Sequence, residues 1–168
     1  MGDMYNLVKD FFSHDMDLDD LFDSEAIIWI DWREDDEDVV NYFNDMMDEP
    51  IDIQTVSNGK PYGDDIVLQK GDKELLIPYG DEKDRDVTIK YFNDFVQPDY
   101  EVRWFAESLG NDTLGFTVLS GAEWANLDDE FGADTVRYYF EPINLESNMF
   151  NLDMDEVSAL LELRENNR

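Results

Sequence analysis

Residues 26–45, AIIWIDWREDDEDVVNYFND, decide the fold. They open on Ala26-Ile27-Ile28-Trp29-Ile30, an apolar run rich in β-branched and aromatic residues that reads as a mostly buried strand. A dense carboxylate run follows, Asp31, Glu34, Asp35, Asp36, Glu37 and Asp38, relieved only by Arg33. Val39, Val40, Phe43, Met46 and Met47 then recur as one face of an amphipathic helix. An apolar anchor thus stands on each side of a concentrated negative charge.

On the N-terminal side, Met4, Leu7, Val8, Phe11 and Phe12 recur at helical spacing. The acidic stretch from His14 to Glu25 holds Leu18, Leu21 and Phe22, enough for one more helical turn. On the C-terminal side, Pro50 marks the helix end, and Ile51, Ile53 and Val56 give a short strand that stops at Ser57-Asn58-Gly59. Ile66-Val67-Leu68 and Leu75-Leu76-Ile77 flank Lys70-Gly71-Asp72-Lys73, a hairpin in which Gly-Asp suits a type II′ turn. A second helix is expected over Asp84 to Val96, with Thr88, Tyr91, Phe92, Phe95 and Val96 on one face, ending before Pro98.

Tyr100, Val102, Trp104 and Ala106 alternate with Glu101, Arg103, Phe105 and Glu107, the pattern of a half-buried strand. Leu109 to Asp112 turns it into a strand over Leu114 to Leu119. Ser120 then caps a helix bearing Trp124, Leu127 and Phe131, with Glu123 completing a capping box and Gly132 ending the helix. Val136 to Phe140 reads as a last strand. Asp153 and Asp155 open a C-terminal helix built on Met154, Val157, Leu160 and Leu161. The pattern is α+β, a single domain over residues 1–168: a mainly antiparallel sheet with amphipathic helices packed on it. Asp38-Val39 leading to Tyr42-Phe43-Asn44-Asp45 resembles Asp86-Val87 leading to Tyr91-Phe92-Asn93-Asp94, but the spacings differ by a residue, which favours coincidence over duplication.

Composition bounds the function. With 42% hydrophobic and 14% aromatic residues, the 168-residue chain can bury a sizeable core despite its charge. Its 43 acids against 12 Lys and Arg give a net charge of -31, whose self-repulsion opposes the compact state. That charge argues against nucleic acid or an anionic membrane surface as ligand and favours cations or a basic protein. Acidity of this kind also occurs in proteins of high-salt cytoplasms, but those lean on Ala, Val and Gly rather than Asn, Ile, Met, Phe and Tyr. No cysteine is present, and no apolar run approaches the roughly 20 residues of a membrane-spanning helix, so a soluble, cytoplasmic protein is expected.

Catalytic motifs are weak. His14 is the only histidine, so Ser-His-Asp and Cys-His chemistry have no support. Asp15, Asp17 and Asp19 imitate the start of an EF-hand loop, but Asp20 stands where glycine belongs and Ala26 where the bidentate glutamate belongs. Asn151, Asp153, Asp155 and Glu162 fail similarly, with Glu156 in the glycine position. No cofactor, metal site or small-molecule substrate is expected, and the chain is not read as an enzyme.

What remains is an interaction surface. Glu34, Asp35, Asp36, Glu37 and Asp38, then Asp81, Glu82 and Asp84, then Asp128, Asp129 and Glu130 form three acidic clusters near turns or helix ends. Helix capping accounts for individual acids such as Asp84, but not for a surface so poor in Lys and Arg. Trp32, at the mouth of the first cluster, supplies an aromatic anchor of the kind that dominates binding energy.

In size, acidity, lack of catalytic residues and α+β pattern, the chain resembles the immunity proteins of bacterial contact-dependent inhibition and other polymorphic toxin systems. That resemblance is one of character over the whole chain. It implies an antitoxin that binds a basic toxin, a nuclease for preference, as a heterodimer. The alternative is a DNA mimic of the anti-restriction or anti-CRISPR type, whose carboxylates would imitate phosphates spaced at about 1.7 Å per charge along the duplex axis. A mimic needs two regular rows of carboxylates; an immunity protein needs a compact patch with aromatic anchors.

Overall fold

The computed structural model describes residues 3–31, 34–47, 49–57, 59, 64–79, 84–109, 113–145, 149 and 154–166. Among them, α1 (Asp3–Phe12) and α2 (Leu18–Phe22) lead into β1 (Ile28–Asp31) and α3 (Asp36–Asp45). β2 (Asp52–Ser57), β3 (Asp64–Lys70) and β4 (Lys73–Leu76) follow, then α4 (Arg85–Val96), β5 (Tyr100–Phe105) and a 3-10 turn at Ala106–Ser108. β6 (Thr113–Ser120), α5 (Gly121–Phe131), α6 (Ala133–Tyr139), β7 (Phe140–Pro142) and α7 (Met154–Asn166) complete the order. The fold is α+β, with two antiparallel sheets ordered β1-β6-β5-β7 and β2-β3-β4.

The four-stranded sheet is apolar on both faces. Ile28, Ile30, Val102, Trp104, Leu114, Phe116 and Val118 point one way, into a core shared with α3, α4 and the three-stranded sheet. Ala26, Ile27, Phe105 and Leu119 belong to a second core closed by α1, α2, α5 and α6. The expected half-buried strand over Tyr100 to Glu107 is corrected accordingly. From Val102 to Phe105 β5 is buried on both sides, because a helical layer covers each face of the sheet. Even Arg103 is buried, its guanidinium over the Trp124 ring at 4.4 Å and paired with Glu101 at 2.6 Å.

Other boundaries move for local reasons. Val136 to Phe140, expected as a strand, lies mostly in α6; only Phe140 to Pro142 pairs with β5. Gly132, at φ +94, ends α5 and starts α6 at once, so a short apolar run that suits either structure continues as helix. Met46 leaves the apolar face of α3, since the helix ends at Asp45; Met47 is buried and Met46 exposed. Val56 pairs with Asp65 on the outer face of the small sheet, opposite in phase to Ile53, and is exposed. The hairpin forms as expected, with a positive φ at Gly71 and none at Asp72, the sign pattern of a type II′ turn. The capping box of α5 is complete: Ser120 Oγ accepts from Glu123 N, and Glu123 Oε1 from Ser120 N.

Gly115 sits in register between Trp29 on β1 and Phe105 on β5, whose ring centroids approach to 6.3 Å. A Cβ there would meet Ile27 Cγ2 at 2.7 Å. Gly115→Ala is therefore expected to destabilise the protein by about 1–3 kcal/mol through overpacking. Urea unfolding reads this as a lower midpoint with an unchanged slope.

Candidate acidic interface on α3

The acidic run after β1 divides into acids that build the fold and acids that face solvent. Asp36, in the first turn of α3, is buried. Its Oδ1 accepts from Arg85 Nε at 3.1 Å and from Thr88 Oγ1 at 3.1 Å, both on α4. Arg85 also donates from Nη1 to the Asp31 carbonyl at 2.6 Å and from Nη2 to the Glu34 carbonyl. One guanidinium thus closes the β1–α3 connection against the start of α4. Asp36 is accordingly a structural residue rather than a docking one.

Among the described residues of the other two clusters, some acids also serve the fold. Asp84 caps α4, its Oδ1 accepting from Asp86 N at 2.9 Å and from Val87 N at 3.4 Å. Asp128 holds buried Arg103 with two contacts at 3.4 Å. Glu130 pairs with Lys9 at 3.7 Å, and Asp129 is exposed. Trp32, Asp81 and Glu82 lie outside the described residues, so the expected aromatic anchor at Trp32 is not placed.

What the α3 cluster presents to solvent is a ridge: Asp35, Asp38, Tyr42 and Asp45 are exposed, with Glu34 and Glu37 half-buried beside them. Asp38, Tyr42 and Asp45 follow one another at the four- and three-residue steps that align side chains on a helix. Tyr42, 38% exposed, donates its hydroxyl to Glu34 Oε2 at 3.2 Å, and Met46 continues its flank one turn on. The Glu34 carboxylate, with Asp38 behind it, holds the Tyr42 phenol above its ordinary pKa, because a phenolate there would face like charge. Tyr42 was missed in the sequence reading, yet it lies four residues after Asp38 on the polar side of the helix.

A further exposed acidic group surrounds α2: Asp15, Asp17, Asp19, Asp20, Asp23 and Glu25. Asp17 caps the helix by accepting from Asp20 N at 2.8 Å, and its charge is the main reason that the Asp20 carboxyl is raised. Among the described residues, no group of three or more His, Cys, Asp or Glu side chains is arranged to hold a metal ion. Nor is any helix among them long and apolar enough to cross a membrane. Comparison of the chain with protein-family profiles, curated proteins and solved structures finds no match.

Two outcomes separate structural from surface acids. Arg85→Ala leaves the Asp36 carboxylate buried without its cation and is expected to cost about 3–5 kcal/mol. Asp35→Asn or Asp38→Asn should stay within about 0.5 kcal/mol of the parent in the same unfolding experiment. The phenol of Tyr42 should titrate above the ordinary value of 10.0 and move back toward it in Glu34→Gln, read by ultraviolet difference absorbance against Tyr42→Phe. Since the folded-state pKa is the higher one, the group's contribution to stability is present below the unfolded value and is lost as pH rises through the folded value.

Proposed function

We propose that this chain is a non-catalytic, stoichiometric inhibitor of a basic protein, in the manner of an immunity protein that neutralises a bacterial toxin, with a nuclease as the preferred class. The observation that carries the reading is where the positive charge goes. Arg85, Arg103 and Arg164 are turned inward onto Asp36, onto Glu101 and Asp128, and onto Glu107. Lys9 and Lys70 pair with Glu130 and Asp99, and Lys73 donates to the Phe95 carbonyl at 2.6 Å. Among the described residues six cations are engaged in this way, the three arginines largely covered and Lys9 and Lys70 in exposed surface pairs, on a molecule of net charge -31.

An ordinary soluble surface intersperses both signs. A surface kept acidic at the expense of compactness suits fast capture, since opposite charge can raise association to about 10⁸–10⁹ M⁻¹s⁻¹ at low salt. The α3 ridge adds a tyrosine to that charge, combining electrostatic steering with an anchor of the kind favoured at binding hot spots.

Affinity capture with the tagged chain from its source cells tests the reading. The expected result is a basic protein retained in equimolar amount, whose association slows at least tenfold between low salt and about 0.15 M. The double variant Asp35→Lys, Asp38→Lys should slow that association further while folding as the parent does. Retention of an acidic or neutral partner, or a rate indifferent to salt, would overturn the proposal. If the partner binds DNA and duplex DNA competes with the chain for it, the inhibitor works as a DNA mimic instead.

A further inference from the structure

α7 is held by polar contacts rather than by an apolar face. Among residues 154–164 none is buried, whereas α4, of similar length, buries seven. Met154 is 79% exposed and Leu163 56%, and Leu160 and Leu161 are exposed with them; Val157, half-buried, packs against the first core. The strongest fastening lies near the C-terminal end. Arg164 donates to Glu107 Oε1 and to the Tyr138 carbonyl, each at 2.6 Å, with its guanidinium 4.1 Å from the Tyr138 ring centroid. Glu156, toward the other end, also has a partner.

Leu160 and Leu163 do reach toward the body, but across a cavity of about 130 Å³. Trp104, Ala106 and Leu109 line it from the body, and three charged side chains, Arg137, Glu141 and Arg164, line it as well. Water can fill a polar-lined space of this size, so the two leucines are not sealed into apolar surroundings. A 13-residue helix is marginal by itself in water, and in proteins most helical stability comes from a packed apolar face. α7 has little of that face to hold it down.

We infer that α7 is a strap that opens as a unit while both cores stay folded. Segments with few buried apolar contacts open at the low end of a protein's stability range, and core strands open only with the whole molecule. Arg164 is the latch: it ties α7 to the 3-10 turn through Glu107 and to α6 through Tyr138. Opening breaks those contacts and bares Trp104, Ala106 and Leu109, which are buried while the strap is closed. The device follows from the seating of one helix and stands apart from the basic-partner reading.

The full chain has no cysteine, so a single introduced thiol reports alone. Ala106→Cys places it in the cavity lining, at a residue 5% exposed; Ala26→Cys places it in the second core, at a residue 0% exposed. With a thiol reagent and no denaturant, the first should react about a hundredfold faster than the second, and with little dependence on urea below the global transition. Adding Arg164→Gln, which removes charge-assisted hydrogen bonds, should speed the first about tenfold and leave the second unchanged. Hydrogen exchange of the parent chain needs no substitution. The amides of residues 158–164, past the first turn whose N–H groups lack helical partners, should be about a hundredfold less protected than those of α4 and β6. If either cysteine variant fails to fold, that exchange pattern decides alone. Equal reaction of the two thiols with the same urea dependence, equal acceleration of both by Arg164→Gln, or α7 amides exchanging in step with those of α4 would overturn the strap.

Discussion

The Arg85 guanidinium is the joint on which this fold turns. The carboxylate of Asp36 and two main-chain carbonyls, those of Asp31 and Glu34, accept from it, so strand, connection and two helices meet at one cation. The buried Asp36 carboxylate would be costly alone, and pairing with the half-buried Arg85 guanidinium and its hydrogen-bond partners is what makes the site tolerable. The first core depends on this closure, because α3 and α4 face each other across Phe43 and Phe92, with ring centroids 5.5 Å apart. Arg103 repeats the device inside the second face of the sheet, and Arg164 repeats it at the C-terminus. In a chain with few cations, the arginines are placed where a planar, multi-donor group can close several elements at once.

That use of cations has an electrostatic consequence. Each arginine drawn inward neutralises one or two acids that already serve the fold, while the outward acids of α2 and α3 keep their charge. Compactness is therefore maintained by local pairing against a field that acts on the whole surface. Two well-packed cores, joined through a sheet that is apolar on both faces, supply the cohesion to withstand it. Acidity and aromatic content belong together here: fewer large apolar residues would leave the self-repulsion unopposed.

Much of this was legible in the sequence, and the failures are physical. Helical periodicity located α1, α3, α4, α5 and α7, and turn chemistry located the hairpin and the capping box. Periodicity says which residues are apolar, however, and not how many layers will cover a sheet. Arg103 read as an outward residue of β5 because nothing local reveals that α5 will lie over it. Likewise, carboxylates in one run look alike until an arginine nearly fifty residues away selects one: Asp36 goes inside, while Asp35 and Asp38 stay out. In α7 the apolar spacing was read correctly as helix but wrongly implied a buried face, since periodicity cannot supply the surface to pack against.

The two Tyr-Phe-Asn-Asp segments sharpen what distinguishes the α3 ridge. Their phenylalanines meet in the core, and their asparagines perform the same task for the chain that follows each helix. Asn44 brackets Ile51, donating to its carbonyl at 2.9 Å and accepting from its N–H at 2.8 Å. Asn93 accepts from Val102 N at 2.7 Å and donates to the Ile143 carbonyl at 2.9 Å. Whatever its origin, the shared motif has a shared structural meaning, with one exception. Tyr91 is packed against the core, whereas Tyr42, in the same place in the motif, is exposed beside Glu34 and Asp38. The motif therefore does not dictate exposure of the tyrosine; what surrounds each helix does. On α3 the core accounts for Phe43 and Asn44 but leaves Tyr42 outside, an exposed aromatic ring beside the Glu34 carboxylate.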